Sequence, residues 1–149
     1  MEDKDLIFTK QVLISWGEDV LSSMRGILVA NNKSATGDLI NSLKYEITYQ
    51  NEDLQLEFEM IDYGKYVDGG RLPGKQPPIQ SILNWTRIKG IPDKFAFPIA
   101  KKIGKFGIKP VPFFDSTIES NKAVLIRELE LAMTQDITIW IQKQILNKF

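Results

Sequence analysis

Residues 63 to 78 read YGKYVDGGRLPGKQPP, and residues 107 to 114 read GIKPVPFF. Both segments combine glycine and proline with aromatic residues. Glycine and proline interrupt helices and strands, and at this density these breakers fix turns and extended backbone. We call the two segments the first and the second breaker segment and interpret the rest of the chain as elements arranged around them. Long ordered loops in compact domains often carry function, so the first breaker segment is the first candidate for a functional site.

The amino-acid composition limits both the domain count and the chemistry. The chain has 149 residues, which fits one domain with a substantial core and leaves no room for a second. It contains no cysteine and no histidine, so disulfides, thiolate nucleophiles and the commonest general base are missing. Most hydrolase chemistries are thereby disfavoured. We predict a single domain, residues 1–149, and assign no catalytic, metal-binding or cofactor-binding residue to it.

Charge is distributed unevenly, although the nineteen basic and nineteen acidic residues cancel. Residues 1–62 hold five basic and twelve acidic side chains, whereas residues 63–109 hold ten basic and two acidic ones. The remaining residues, 110–149, hold four basic and five acidic ones. Such a bipolar chain is suited to head-to-tail contacts between its own copies, or to presenting one basic face to an acidic partner.

The N-terminal region predicts two helices. Apolar residues recur at helical spacing over residues 4–30 and indicate an amphipathic helix whose stripe faces the core. A short second helix is predicted from Thr36 to Leu43, with Ser34 or Thr36 as its cap. The stripe of the first helix consists of Leu6, Leu13, Trp16, Val20, Met24 and Ile27.

Strict alternation of apolar and polar residues then predicts an antiparallel hairpin over residues 44–61, with a turn at Asn51 and Glu52. The outer face of its second strand is a row of carboxylates. Glu57 and Glu59 lie two residues apart and would in principle hold a divalent cation, but no third ligand or glycine-turn loop is near, which favours a solvated acidic face. The predicted inward residues are Tyr45, Ile47, Tyr49, Leu54, Leu56, Phe58 and Met60.

The first breaker segment formally matches a nucleotide-binding loop, because Gly69 to Lys75 has the spacing Gly, four residues, Gly-Lys. That loop needs Ser or Thr after the lysine to ligate magnesium, and a helix start that aims amides at phosphate. Gln76 occupies the hydroxyl position, and the two prolines that follow remove two backbone donors. We predict instead a tight turn at Asp68 to Gly70 and an extended stretch that exposes Arg71 and Lys75.

The rest of the chain is predicted to be largely helical, which with the hairpin gives an α+β fold. Residues 79–106 read as a basic segment of two helices that Gly90 separates and Gly107 closes, with Pro98 tolerated only near a first turn. Residues 107–114 are extended, and residues 117–147 predict a long amphipathic helix. Residues 137–142 are β-branched enough to be a strand instead. The stripe predicted for the long helix is Ile126, Leu129, Met133, Ile137, Trp140 and Ile141.

Three lysines of the second central helix, Lys101, Lys102 and Lys105, lie on one side of it and predict a basic face. A solvated surface and contact with phosphate are both open interpretations of this face. No apolar run approaches the roughly 18 residues that span a bilayer, and the acidic N-terminus is unlike a signal peptide. We therefore expect no membrane association.

The order of these motifs resembles that of a known family. Tyr-x-x-Tyr-Val-Asp-x-Gly is followed by Trp85, by Lys-Gly-Ile at 89–91, by FAFPIAKKI at 95–103, and by the second breaker segment. The neck and tail-completion proteins of long-tailed bacteriophages have a similar order: a Tyr-Val-Glu-x-Gly-like strand end, a variable loop, a helix and a Gly-x-x-Pro-x-Pro-Phe-like element. The resemblance covers residues 63–130. The residues that carry the two end motifs are Tyr63, Tyr66, Val67, Gly70, Gly107, Pro112, Phe113 and Phe114.

The resemblance implies a non-enzymatic α+β subunit of a homo-oligomeric ring in the virion neck, assembled in the host cytoplasm. Its implied partners are copies of itself, portal or head-closure proteins, tail-tube or tail-terminator proteins, and double-stranded DNA that passes without sequence readout. We expect Asp68, Arg71 and Lys75 to form a subunit-interface or DNA-channel loop.

Two other functions remain open from the residues alone. A free-standing nucleic-acid-binding module would use the basic residues between 65 and 109 without reading sequence. A cryptic enzyme would have to use Asp62, Asp68, Glu57 and Glu59, which are the clustered carboxylates of the chain.

Overall fold

The computed structural model describes residues 1–31 and 37–148, and in these residues the chain is an α+β protein with one two-stranded sheet. The predicted caps of the second helix, Ser34 and Thr36, lie outside the described residues. The helices are α1 (Ile7–Ala30), α2 (Gly37–Ser42), α3 (Gly64–Gly69), α4 (Ile79–Ile88), α5 (Ala96–Phe106) and α6 (Asp115–Leu146), and the strands are β1 (Lys44–Gln50) and β2 (Asp53–Glu59). Short 3-10 turns at Asp3–Asp5 and Asp93–Phe95 precede α1 and α5.

The main core forms where α1 meets α6 and the inner face of the hairpin. The indole Nε1 of Trp16 donates to the carbonyl of Asn121 at 3.0 Å, and Thr9 lies beside Asp136, so α1 and α6 run antiparallel. The predicted stripe of α1 is confirmed, with Leu6 and Ile27 half-buried at its ends. The buried members of this core are Trp16, Val20, Leu21, Met24, Leu28, Leu39, Leu43 and Phe113.

The hairpin is antiparallel as predicted, and Gln50 pairs with Asp53 across the predicted turn. Asn51 and Glu52 form a two-residue turn with positive φ at both positions (52° and 68°), the geometry whose twist matches that of the flanking strands. The strands end at Glu59, two residues before the predicted limit. The inner residues are half-buried against α1, where the rings of Trp16 and Phe58 make an edge-to-face contact at 5.8 Å.

Helices α4 and α5 pack on each other as a second, smaller unit. The buried residues of this unit are Ile82, Ala96 and Ala100, and they form a cluster separate from the main core. Pro98 is the third residue of α5, where its missing N–H has no helical partner to lose. Gly107 ends α5 with a φ of 70°, as predicted.

One prediction about local structure was wrong. The first breaker segment is not a strand end followed by a loop, because Gly64–Gly69 forms the short helix α3, and the predicted turn at Asp68 to Gly70 is its last turn. The predicted long C-terminal helix is confirmed: it begins at Asp115 and runs without a break to Leu146, so residues 137–142 are helical and not a strand.

The predicted stripe of α6 was also wrong for most of its members. Ile126, Met133, Ile137 and Ile141 are exposed, while Leu125, Ala132 and Asp136 lie on the side that faces the core. The second half of α6 carries apolar residues nearly all round, so its own periodicity does not define a face. The position of α1 against it decides which residues are buried.

Candidate functional site

The structure joins the two breaker segments, although about thirty residues of α4 and α5 separate them in sequence. Arg71 and Ile108 form an antiparallel bridge in which each backbone N–H donates to the other's carbonyl, at 2.8 and 2.7 Å. Val111 N–H donates to the carbonyl of Val67 at 2.8 Å, and Gly74 N–H donates to the carbonyl of Gly104 at 2.7 Å. The first segment is thus bonded along its length to α5 and to the second segment.

Glycine makes this close approach possible at two positions. A Cβ on Gly70 would lie 2.7 Å from the carbonyl oxygen of Ile108, and one on Gly107 would overlap the carbonyl oxygen of Arg71. Both glycines also have positive φ, 68° and 70°. Any larger residue would have to move the two backbones apart as well as adopt a conformation that side chains disfavour.

Asp68 connects α3 to the start of α6. One carboxylate oxygen, Oδ1, accepts from the backbone N–H of Phe113 at 2.8 Å and of Phe114 at 2.7 Å. These donors precede the first turn of α6, where backbone N–H groups lack helical partners. Asp68, predicted as a loop residue of an interface or channel, is thus engaged within the chain.

Arg71 and Lys75 are placed differently from each other. The guanidinium of Arg71 donates from one terminal nitrogen to the carbonyl of Lys75 at 2.9 Å, which closes the loop on itself. Lys75 is exposed, and no carboxylate within the described residues pairs with it. Leu72 between them is 86% exposed. The tip of the loop therefore offers an apolar side chain beside a free ammonium.

The residues that carry the resemblance split between core and surface. Phe113 is fully buried, and Val67, Tyr63 and Phe114 pack against the same cluster. Tyr66 and Pro112 are exposed. Most of these residues hold the two segments in place and only a minority is available to a partner.

Lys89 is an anchoring residue that its sequence context did not reveal. Its ammonium donates to Oδ2 of Asp38 at 2.8 Å and to the Tyr63 hydroxyl at 3.1 Å, and its side chain is only 9% exposed. Burial alone would lower the pKa of Lys89, but these two hydrogen bonds outweigh it and the pKa lies above the ordinary value for a lysine. Lys89 therefore stays charged and ties the end of α4 to α2 and α3.

The predicted basic face of α5 is present. Lys101, Lys102 and Lys105 are exposed on the side of α5 opposite the small buried residues Ala96, Ala100 and Gly104. Within the described residues none of the three lysines has a carboxylate partner. The neighbouring rings of Phe97 and Phe106 are also exposed, by 58% and 64%.

The outer face of the hairpin has the opposite sign. Glu46 lies directly across from Glu57 in the register, Gln50 lies across from Asp53, and Lys44 pairs with Glu59 at 2.7 Å. In the described part of the chain, Glu46, Asp53 and Glu57 have no cationic partner. We call this surface the acidic face.

The grooves of the described residues lie away from both breaker segments. Two open grooves of about 500 and 480 Å³ lie beside the hairpin and α1, and no residue of either breaker segment lines them. No group of three or more carboxylate, imidazole or thiol side chains in residues 1–31 and 37–148 is placed to hold a metal ion. In the same residues, no helix has the length and apolar content needed to cross a bilayer.

Comparison with known proteins gives no family assignment: no protein-family model matches the chain, and searches of curated proteins and of solved structures found no match.

Proposed function

We propose that this chain is a non-enzymatic neck or tail-completion subunit of a long-tailed bacteriophage. In this proposal it forms a homo-oligomeric ring that joins the portal or head-closure proteins to the tail-tube or tail-terminator proteins. Double-stranded DNA passes through the ring without sequence readout, and the protein is located in the virion neck after assembly in the host cytoplasm.

The union of the two breaker segments is the observation that carries this proposal. The motifs of the resemblance are far apart in sequence, yet Asp68 bonds to Phe113 and Phe114, and Arg71 pairs with Ile108. Because the motifs contact each other in the fold, there is a physical reason for them to occur together and in the same order as in the resembled family. That unit displays the loop tip with Lys75, and an exposed cation on a bonded loop is suited to a neighbouring subunit or to a phosphate backbone.

The direct test is removal of the gene from the phage that encodes the chain. We expect filled heads and complete tails to accumulate unjoined, and purified protein added to such an extract to restore joined particles that contain it. Electron microscopy of the particles provides the measurement. Normal joined particles in the absence of the protein, or a protein that binds neither portal rings nor tails of that phage, would rule the proposal out.

A second candidate function is a nucleic-acid-binding module without sequence preference. The observation that favours it is the basic face of α5 with exposed Phe97 and Phe106 beside it, since single-stranded nucleic acid is bound by cations together with aromatic rings. The affinity of the isolated chain for single- and double-stranded DNA, measured across salt, separates the two candidates. A binding module shows a steep linear loss of log affinity with log salt.

A further inference from the structure

Each of the two charged surfaces of this chain is destabilised by repulsion between charges of the same sign. On the acidic face Glu46 and Glu57 are directly opposite across the strands, an arrangement that destabilises a hairpin. On α5, Lys101 and Lys105 are four residues apart, and like charges at that spacing repel on a helix. Within the described residues neither repulsion is relieved by an ion pair.

From these two surfaces we infer that the acidic face of one copy docks on the basic face of the next copy. The inference rests on the proposed function, because it names the contact between neighbours in the ring. Glu46, Asp53, Glu57 and Glu59 less the cation of Lys44 give the acidic face a net charge of −3, and the three lysines give the basic face +3.

The spacing of the charges is also compatible. Residues four apart on a helix are separated by about 6 Å along its axis, which applies to Lys101 and Lys105. Residues two apart on a strand are separated by about 6.7 Å, which applies to Glu57 and Glu59. Lysines on successive turns of α5 can therefore lie over successive outward residues of β2.

A second copy of the chain would neutralise both charged faces, which neither DNA nor a divalent cation would do. DNA would neutralise the lysines of α5 but would leave the acidic face without a partner. A divalent cation on the acidic face would leave the lysines unused, and the described residues do not gather the three ligands that it requires. A copy of the same chain provides both partners at once, and exposed Phe97 and Phe106 beside the lysines add apolar area to the contact.

The contact joins two different faces of the chain. Used in one direction only, such a heterologous contact builds a ring when its rotation closes, and an open filament when it does not. Opposite charges across it should also make association sensitive to salt, since the screening length falls from about 10 Å at 0.1 M to about 3 Å at 1 M.

The test uses two double charge reversals of the full chain. Lys101→Glu/Lys105→Glu removes the basic face, and Glu46→Lys/Glu57→Lys removes the acidic face. Each keeps a like-charge pair at its site, and Lys105→Glu also places a negative charge in the last turn of α5, where the helix dipole disfavours it. We expect each variant alone to self-associate more than about tenfold more weakly than the native chain in sedimentation at low salt. An equimolar mixture should associate again, because opposite signs then meet across the contact.

Two control variants match the changes in net charge on exposed positions of α6: Lys122→Glu/Lys143→Glu and Glu119→Lys/Glu130→Lys. Both should associate as the native chain does. Thermal unfolding of all four variants checks that they fold.

Several results would overturn the inference. These are a native chain that stays monomeric at low salt and high concentration, a face variant that assembles normally, or a mixture that does not recover. If Lys101→Glu/Lys105→Glu lost DNA binding yet assembled as the native chain does, the lysines would serve DNA instead. In each of these cases the proposed function is tested separately, by the binding of the native chain to portal rings or tails. If the native chain binds them, the proposed function stands. If it binds neither, the proposed function is ruled out as well.

Discussion

At the residue scale, a single aspartate on α6 provides the cap that α1 lacks. Residue 6, which precedes α1, is a leucine and has no side-chain acceptor for the free N–H groups of the first turn. Asp136 accepts from Phe8 N–H at 3.0 Å and from the N–H and hydroxyl of Thr9, both at 2.8 Å. A carboxylate at this end also complements the helix dipole. A position 128 residues away therefore completes the start of α1.

The same contacts set the ionisation of Asp136. Burial alone would raise the pKa of this carboxyl, which is only 2% exposed, but the hydrogen bonds from Thr9, Phe8 and Ile7 outweigh it. The pKa therefore lies below the ordinary value for an aspartate. A carboxyl with a lowered pKa stabilises the fold fully above its unfolded pKa of about 3.9, and this contribution is lost as the pH falls through the folded value.

The first prediction concerns Asp136→Asn, which keeps the size of the side chain but removes its charge. We expect the free energy of unfolding to fall by about 2 kcal/mol at neutral pH, because bonds to a charged acceptor are lost. Urea unfolding at several pH values measures it, with Glu130→Gln on the exposed side of α6 as a control that should change by less than about 0.5 kcal/mol. The difference between native and variant should shrink as the pH falls below about 4. A constant difference would mean that charge is not the cause.

At the scale of elements, α3 is a junction rather than the end of a strand. Its last residues lead into Gly70, where the chain turns to pair with Ile108, while Asp68 holds the backbone just before α6. Lys89 fixes the end of α4 to the same region through Tyr63. The short helix α3 thus connects the main core, the α4–α5 unit and the start of α6.

The second prediction concerns Asp68→Ala, which removes the acceptor of two backbone N–H groups. We expect a loss of roughly 2 kcal/mol in the free energy of unfolding, since both donors are partly buried and stay unsatisfied. The amides of Phe113 and Phe114 should exchange with deuterium faster than in the native chain. The matched control is Asp68→Asn, whose carbonyl oxygen can still accept from both amides. Equal losses in the two variants would show that the carboxylate acts through its charge and not through these bonds.

At the scale of the whole molecule, charge is segregated between the hairpin and α5. The described part of the chain pairs Glu59 of the acidic face with Lys44 but leaves the other charges of both surfaces without ion pairs. It does pair charges elsewhere, as in Arg87 with Asp93 at 2.8 Å. The segregation costs some stability within one copy through self-repulsion, and an assembly removes that cost. This arrangement motivates the proposed contact between copies.

The third prediction concerns Arg71→Glu/Lys75→Glu at the tip of the first breaker segment. The pairing with Ile108 uses backbone groups only, and the bond from Arg71 to the Lys75 carbonyl is exposed, so we expect the free energy of unfolding to stay within about 1 kcal/mol of native. Ring formation, or joining of heads to tails in extracts, should be impaired.

Lys122→Glu/Lys143→Glu makes the same change of charge on α6 and serves as the control. An unfolded Arg71→Glu/Lys75→Glu variant would assign a purely structural role to the loop. A folded variant with normal joining activity would remove this loop from the interface and from the channel.

For α1 and the hairpin, the periodicity of the sequence determined the type of element and which of its residues face inward. The stripe of α1 repeats at helical spacing, and the hairpin alternates around a two-residue turn, so the sequence by itself predicts both elements and the register of the strands. The α+β class follows from them. The basic face of α5 could be predicted for the same reason, because its three lysines lie within five residues.

Only the tertiary structure decided which distant residues meet. The cap that Asp136 gives to α1, the bonds of Asp68 to Phe113 and Phe114, and the bridge from Arg71 to Ile108 join positions whose pairing leaves no periodic signal. Asp136, which lies among apolar residues such as Met133, Ile137 and Trp140, was the one visible sign of the first of these contacts. The buried side of α6 depended on tertiary packing as well, because the apolar residues of its second half are spread around the axis and the helix beside it decides which of them are buried.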